Sequence, residues 1–172
     1  MKKIIAIALA AVLTLALAAC GEVVDGPGMV NPWTDVETAQ AAAEGAEVGY
    51  FSVPEENTET PVGPVNWTVF RCMKGIAEAD GFVGVPELTI RKGLKQDTKD
   101  VSGDYNEYKF TWTEDVGDWQ VTCSGNTEGR AAKAIWLTDN FSYSITVRGQ
   151  GSEAETFGLD RETLTILVLG TE

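Results

Sequence analysis

The sequence predicts an α+β fold: a single antiparallel β-sheet with one aromatic-rich face, a helix before it and a helix after it. Three observations carry this. Residues 106–148 hold three runs in which apolar and polar residues alternate. Tyr108, Phe110 and Trp112 share a side of the first run, Trp119, Val121 and Cys123 of the second, and Phe141, Tyr143, Ile145 and Val147 of the third. Successive strand side chains point to opposite faces, so each run is packed on one side and solvated on the other. Helical spacing occurs only toward the two ends of the domain.

Taken in order, the first 19 residues stand apart from the domain. Lys2 and Lys3 form a positive start, and residues 4–17 are apolar apart from Thr14. This run is short for a membrane span and fits an export signal. Residues 21–33 carry glycines and prolines with no periodicity, and read as a tether that reaches at most ~40 Å. The domain proper occupies residues 34–172.

Thr34 or Asp35 is the expected cap of the first helix, with Glu37 in its first turn. Val36, Ala39, Ala42 and Ala43 form its narrow apolar face, and Gly45 ends it. Residues 48–53 read as a strand closed by Pro54, and 55–63 as a loop. Strands follow at 65–73, 76–83 and 87–92, the second with a helical turn at 75–80 as its alternative. In the last, Leu88 and Ile90 face one way. Residues 94–104 are loop-like. After the aromatic strands, 131–137 is a further strand, Asp139-Asn140 is a turn, and 150–158 is a loop. Asp160 caps a closing helix with Leu164, Leu167 and Val168 at helical spacing. Its β-branched Thr163, Thr165, Ile166 and Val168 suit a strand equally well.

The chain of 172 residues is long enough for one domain with a real core. It carries 26 acidic residues against 13 basic ones, a formal charge of -13. Without Lys2 and Lys3 the basic count is 11, and the charge is -15. Such a surface repels nucleic acid and anionic lipid. There is no histidine. That excludes Ser-His and Cys-His nucleophile pairs and imidazole metal sites. No phosphate-binding glycine motif and no CxxC is present. The sequence gives no reason to expect a cofactor.

Carboxylate pairs at Glu55-Glu56 and Glu114-Asp115 keep a glycosidase-type hydrolase on the table, since such an enzyme needs two acids across a cleft. Solvated surface is the simpler reading. Asp100, Ser102, Asp104 and Asn106 alternate like the start of a calcium loop. The pattern breaks at Tyr105, where glycine is needed, and at Thr111, where a bidentate glutamate is needed. No metal site is expected. Cys72 and Cys123 lack close cysteine or histidine neighbours. Two readings stay open for them: a disulfide, or two buried free thiols.

The aromatic stripe, Tyr108, Phe110, Trp112, Trp119, Phe141 and Tyr143, is the candidate binding face. Its alternatives are a core covered by the helices and a surface left partly open for a hydrophobic or sugar ligand.

Leu17-Ala18-Ala19-Cys20-Gly21 resembles the lipobox of bacterial lipoproteins. In that family the signal is cut just before the cysteine and its thiol is lipidated. The resemblance implies lipidation at Cys20, an extracytoplasmic domain and an anchor in the cell membrane. An ordinary secretory signal is the alternative. Asn31-Pro32-Trp33, the small-residue helix, Val53-Pro54-Glu55 and Asp100-Val101-Ser102-Gly103 before the aromatic meander also resemble uncharacterised Firmicute lipoproteins with a domain of unknown function. That domain is similar in outline to the half-barrels of lipoprotein carriers and of a periplasmic regulator of the envelope-stress sigma factor. The resemblance implies a curved, half-barrel-like sheet with helices on its concave side, and no catalytic residues.

Three functions follow as expectations. The first is a membrane-anchored, non-catalytic binding or sensory module whose partner is a protein or a hydrophobic ligand. The second is a structural or interaction protein of the cell envelope. The third is a carboxylate-dependent hydrolase. An open groove above ~300 Å³ favours the first, and a filled aromatic face favours the second.

Overall fold

The computed structural model describes residues 31–172, with the folded unit spanning Trp33–Glu172. The signal, Cys20 and most of the tether lie outside the described residues. No helix among the described residues is long and apolar enough to cross a membrane.

Eight strands form one antiparallel sheet, open at both edges. They are β1 (Thr34–Val36), β2 (Val65–Met73), β3 (Ile76–Val83), β4 (Glu87–Leu94), β5 (Phe110–Val116), β6 (Trp119–Gly125), β7 (Lys133–Leu137) and β8 (Phe141–Arg148). The spatial order is β1-β2-β3-β4-β8-β7-β6-β5. Two meanders thus meet at the β4–β8 pair, where Ile90 lies opposite Ile145. Chain order and spatial order part company after β4. Residues 95–109 must travel from the middle of the sheet to its far edge, and they do so as a strap over one face.

Helix α1 (Ala39–Ala46) and helix α2 (Arg161–Leu169) cover the other face. The first helix starts later than the sequence suggests. Thr38 is its cap, with Oγ1 accepting from the Ala41 N–H at 3.1 Å. Thr34–Val36 instead adds an edge strand, Val36 opposite Phe70. Gly45 does not end the helix. A Cβ there would stand 2.4 Å from Cys72 Sγ, so glycine lets α1 lie close on β2. Glu47 ends it in the left-handed conformation at φ 60°. Val48 N–H to Ala43 O and Glu47 N–H to Glu44 O complete a Schellman motif.

Residues 48–53 form no strand. Val48 and Phe51 are buried, but the backbone of Ser52 pairs with Glu172 and no ladder forms. Residues 76–83 are strand throughout, without the helical turn. The closing helix forms despite its β-branched residues. Asp160 caps it by accepting from the Thr163 N–H at 2.8 Å, and Leu164, Leu167 and Val168 are buried in the core.

Candidate functional site

The register places all the predicted aromatic residues but Tyr108 on the helix-covered face. Trp112 lies opposite Cys123, Phe110 opposite Gly125, and Tyr143 opposite both Lys92 and Trp136. Tyr143 and Trp136 are buried and stack with ring centroids 5.1 Å apart and planes 8° apart. Trp112, Trp119 and Phe141 are half-buried against the same core. Phe110, at the open edge, remains 38% exposed. The stripe is core for most of its length and opens only at the β5 end.

Tyr108 is the exception. Its run breaks before Phe110, so it never joins β5. Its hydroxyl donates to Asp104, and its ring lies 5.7 Å from Lys133 Nζ on the opposite face. Burial first, then the bond to Asp104, pushes that hydroxyl up to about 12.

Lys92 is a core residue that the sequence reading left at a strand end. It continues the period of Leu88 and Ile90, which was the signal available. Its ammonium sits 4.2 Å from the Phe141 ring and 5.1 Å from the Tyr143 ring, and donates to the Tyr50 carbonyl. Burial lowers its pKa, and the charge of Glu172 offsets part of that. Two aromatic faces and one carbonyl are the partners of this buried cation.

Both thiols take the free-thiol alternative. Cys72 and Cys123 are buried and unpaired. Strands β3, β4, β8 and β7 lie between β2 and β6 in the ladder. At about 4.8 Å per strand they are far apart along the sheet, beyond the reach of a disulfide. Burial pushes the Cys123 thiol up to about 12.

On β2 to β4 the opposite face is polar and partly buried. Glu78 is fully buried and accepts from both Arg71 and Arg91, its cross-strand neighbours. Arg71 also donates to Asp80. Both guanidinium carbons lie 5.3 Å from the centre of the Trp33 ring, which caps the row. Burial raises the Glu78 carboxyl even though the two arginines pull it down.

The strap lies across this face and is tied to three strands. Arg91 of β4 donates to Ser102 O at 2.6 Å, Ser142 of β8 to Thr98 O at 2.7 Å, and Lys133 of β7 to Asp104 O at 3.2 Å. Gly93 leaves room for it, since a Cβ there would stand 2.7 Å from Val101 Cγ1. The alternating Asp100, Ser102, Asp104 and Asn106 shape the strap itself. Asp100 Oδ1 accepts from the Ser102 N–H at 2.9 Å, Ser102 Oγ from the Asp104 N–H at 3.1 Å, and Asp104 Oδ1 from the Asn106 N–H at 3.0 Å. Side-chain bonds of this kind hold turns. These turn bonds give the alternating residues a structural role within the strap.

Between the strap and the strands beyond it lies an open trough of about 900 Å³. Thr113, Thr122, Ile135 and Leu137 line it from β5, β6 and β7, with Trp119 at the rim. Lys95, Lys99 and Asp100 line it from the strap. A second opening of about 850 Å³, with Tyr105, Tyr108, Arg148 and Phe157 in its lining, lies by residues 102–108.

The hydrolase carboxylates do not converge. Glu114 and Asp115 are consecutive in β5 and point to opposite faces. Glu114 accepts from Trp112 Nε1 at 3.0 Å and pairs with Arg161 at 3.2 Å. Glu56 accepts from the Trp67 N–H at 3.2 Å. Compared with known proteins, the chain matches no family model, no curated protein and no solved structure.

Proposed function

We propose that this chain is a lipid-anchored, extracytoplasmic binding module that catalyses no reaction. The observation that carries the reading is the trough of about 900 Å³ beside the strap. It is large enough for a small molecule or for several side chains of a partner. Its half-exposed Ile135, exposed Leu137 and the rim of Trp119 offer apolar contact, and Lys95 and Lys99 offer positive charge. This ligand surface adjoins the aromatic stripe at Trp119 and Phe141. The anchoring half of the proposal rests on the signal-like N-terminus and Cys20.

Two experiments test it. Cys20→Ser should move the protein from the membrane fraction to the soluble fraction, or leave it uncleaved. Partition like wild type opposes the anchor. Anilinonaphthalene sulfonate, an apolar anion, should bind the folded protein with enhanced fluorescence. Leu137→Glu should abolish that signal and Phe110→Ser should not. The reverse pattern returns the binding surface to the aromatic side.

The filled aromatic face supports a second reading, a structural or interaction protein of the envelope. An empty trough in the dye experiment favours it.

A further inference from the structure

The two edges of the sheet differ. β1 has three residues, and a short edge strand is a poor template for pairing. β5 has seven, Phe110–Val116, with no proline and an unbroken register against β6. Trp119 and Val116 close a two-residue turn in which Gly117 has φ 58°, the glycine-first turn of a tight hairpin. The closing pair of such a hairpin is hydrogen-bonded, and bonded and unbonded pairs alternate from it. Phe110, Trp112, Glu114 and Val116 therefore turn their backbone groups toward β6. Thr111, Thr113 and Asp115 turn theirs outward. All three are exposed, and among the described residues no backbone bond reaches them from outside the hairpin.

Natural edges are commonly protected by inward-pointing charge. Here Glu114 points inward, but Trp112 and Arg161 hold it. Among the described residues the other charge on the strand is Asp115, which faces outward. A strand added alongside would meet Phe110 and Trp112 on its inner side, where the core face opens. On its outer side it would meet Thr111, Thr113 and Asp115, of which Thr113 lines the trough. Asp115 and Asp118 make the turn end acidic, and the chain as a whole carries -13.

We propose that β5 accepts an extended, basic segment of another protein as a ninth, antiparallel strand. Main-chain bonds to Thr111, Thr113 and Asp115 supply the pairing. Apolar side chains of the guest lie over Phe110 and Trp112, and alternate basic ones face Asp115. Charge selects the guest: a second copy of this acidic chain brings like charge to the edge, and a basic strand brings the opposite. This proposal goes beyond the trough reading and does not depend on it.

The test uses the full-length chain in detergent and two nine-residue synthetic peptides, one alternating lysine with valine and one alternating glutamate with valine. The lysine peptide should bind and slow amide exchange at Thr111, Thr113 and Asp115, with the glutamate peptide at least tenfold weaker. Thr113→Pro removes an outward donor and leaves the β6 ladder intact, since that N–H has no partner in the hairpin. It should weaken the lysine peptide at least tenfold. Asp115→Lys, which keeps the backbone, should weaken it several-fold and serves where the proline variant does not fold. Equal binding of both peptides overturns the proposal. So does binding that neither variant weakens, or continued free exchange at the three amides. Protection that grows with protein concentration in the absence of peptide also overturns it, because a second copy then takes the edge.

Discussion

Trp136 and Leu137 are neighbours in β7 and face opposite ways. Trp136 is 2% exposed and stacks on Tyr143, whereas Leu137 is 37% exposed, and both border the trough. One residue of register separates the packed interior from the surface proposed to bind. The same division runs along the sheet, with helices on one side and the strap on the other.

The strap depends on a missing side chain. Gly93→Ala would place a Cβ 2.7 Å from Val101 Cγ1, and the strap would have to lift. Overpacking of this kind costs about 1–3 kcal/mol. Limited proteolysis should then cut within residues 95–109 faster than in wild type. A variant with wild-type stability and wild-type cleavage would mean that the strap is not seated on Gly93.

Much of this was legible in the sequence. Alternation marked β6 and β8, because period 2 over seven or eight residues has no helical counterpart. Asp160 and the spacing of Leu164, Leu167 and Val168 named α2. Three things were not legible. Thr34–Val36 is too short for any period, and only its pairing with β2 makes it a strand. Gly45 reads as a stop, since its role depends on Cys72 from a distant strand. The polar face looked solvated because alternation reports polarity and cannot report a strap folded over it. Ser142, bonded to the strap at Thr98, is polar and fully buried, and so is Glu78 beneath Arg71, Arg91 and Trp33.

The row Arg71–Glu78–Arg91 should be structural. Glu78→Gln keeps the shape of the side chain and removes the charge between two guanidinium groups. Leaving two guanidinium groups without their buried partner costs at most about 3 kcal/mol, the low end of the usual range, because the Arg71 side chain is 33% exposed and the loss of the charge relieves the burial that raises the Glu78 carboxyl. Urea denaturation at neutral pH measures this. A shift below about 0.5 kcal/mol would show that water already screens the row.

The thiols give a direct chemical readout. In the Cys20→Ser protein, neither Cys72 nor Cys123 should react quickly with a thiol reagent while the chain is folded. Both are buried, and Cys123 is pushed up to about 12 by its burial. In denaturant without reductant, two thiols should titrate. None titrating would mean that the pair is oxidised after all.

Acid should weaken the domain partly through Asp160. Burial acts to raise its carboxyl, but the Thr163 N–H and the charge of Arg130 together hold it below the usual value. A carboxyl depressed in the folded state stabilises above its unfolded pKa of about 3.9, and that stability is lost as pH falls through the folded value. Asp100, held down by Ser102 and Lys133 against its own burial, acts in the same sense, and Glu78, raised by burial, acts in the opposite one. Asp160→Asn isolates one contribution, since asparagine caps a helix about as well as aspartate. Its stability should fall less steeply than wild type below about pH 4. Parallel curves would remove Asp160 from the account.

The division of the sheet into a core face and a binding face is tested most directly by comparing neighbouring substitutions in β7 by denaturation. Trp136→Ala should leave a large cavity and cost about 3–5 kcal/mol. Leu137→Glu, one residue on, should change stability by no more than about 0.5 kcal/mol, as for an ordinary surface position. Similar losses from both, or wild-type stability in Trp136→Ala, would contradict the assignment of the aromatic face as core.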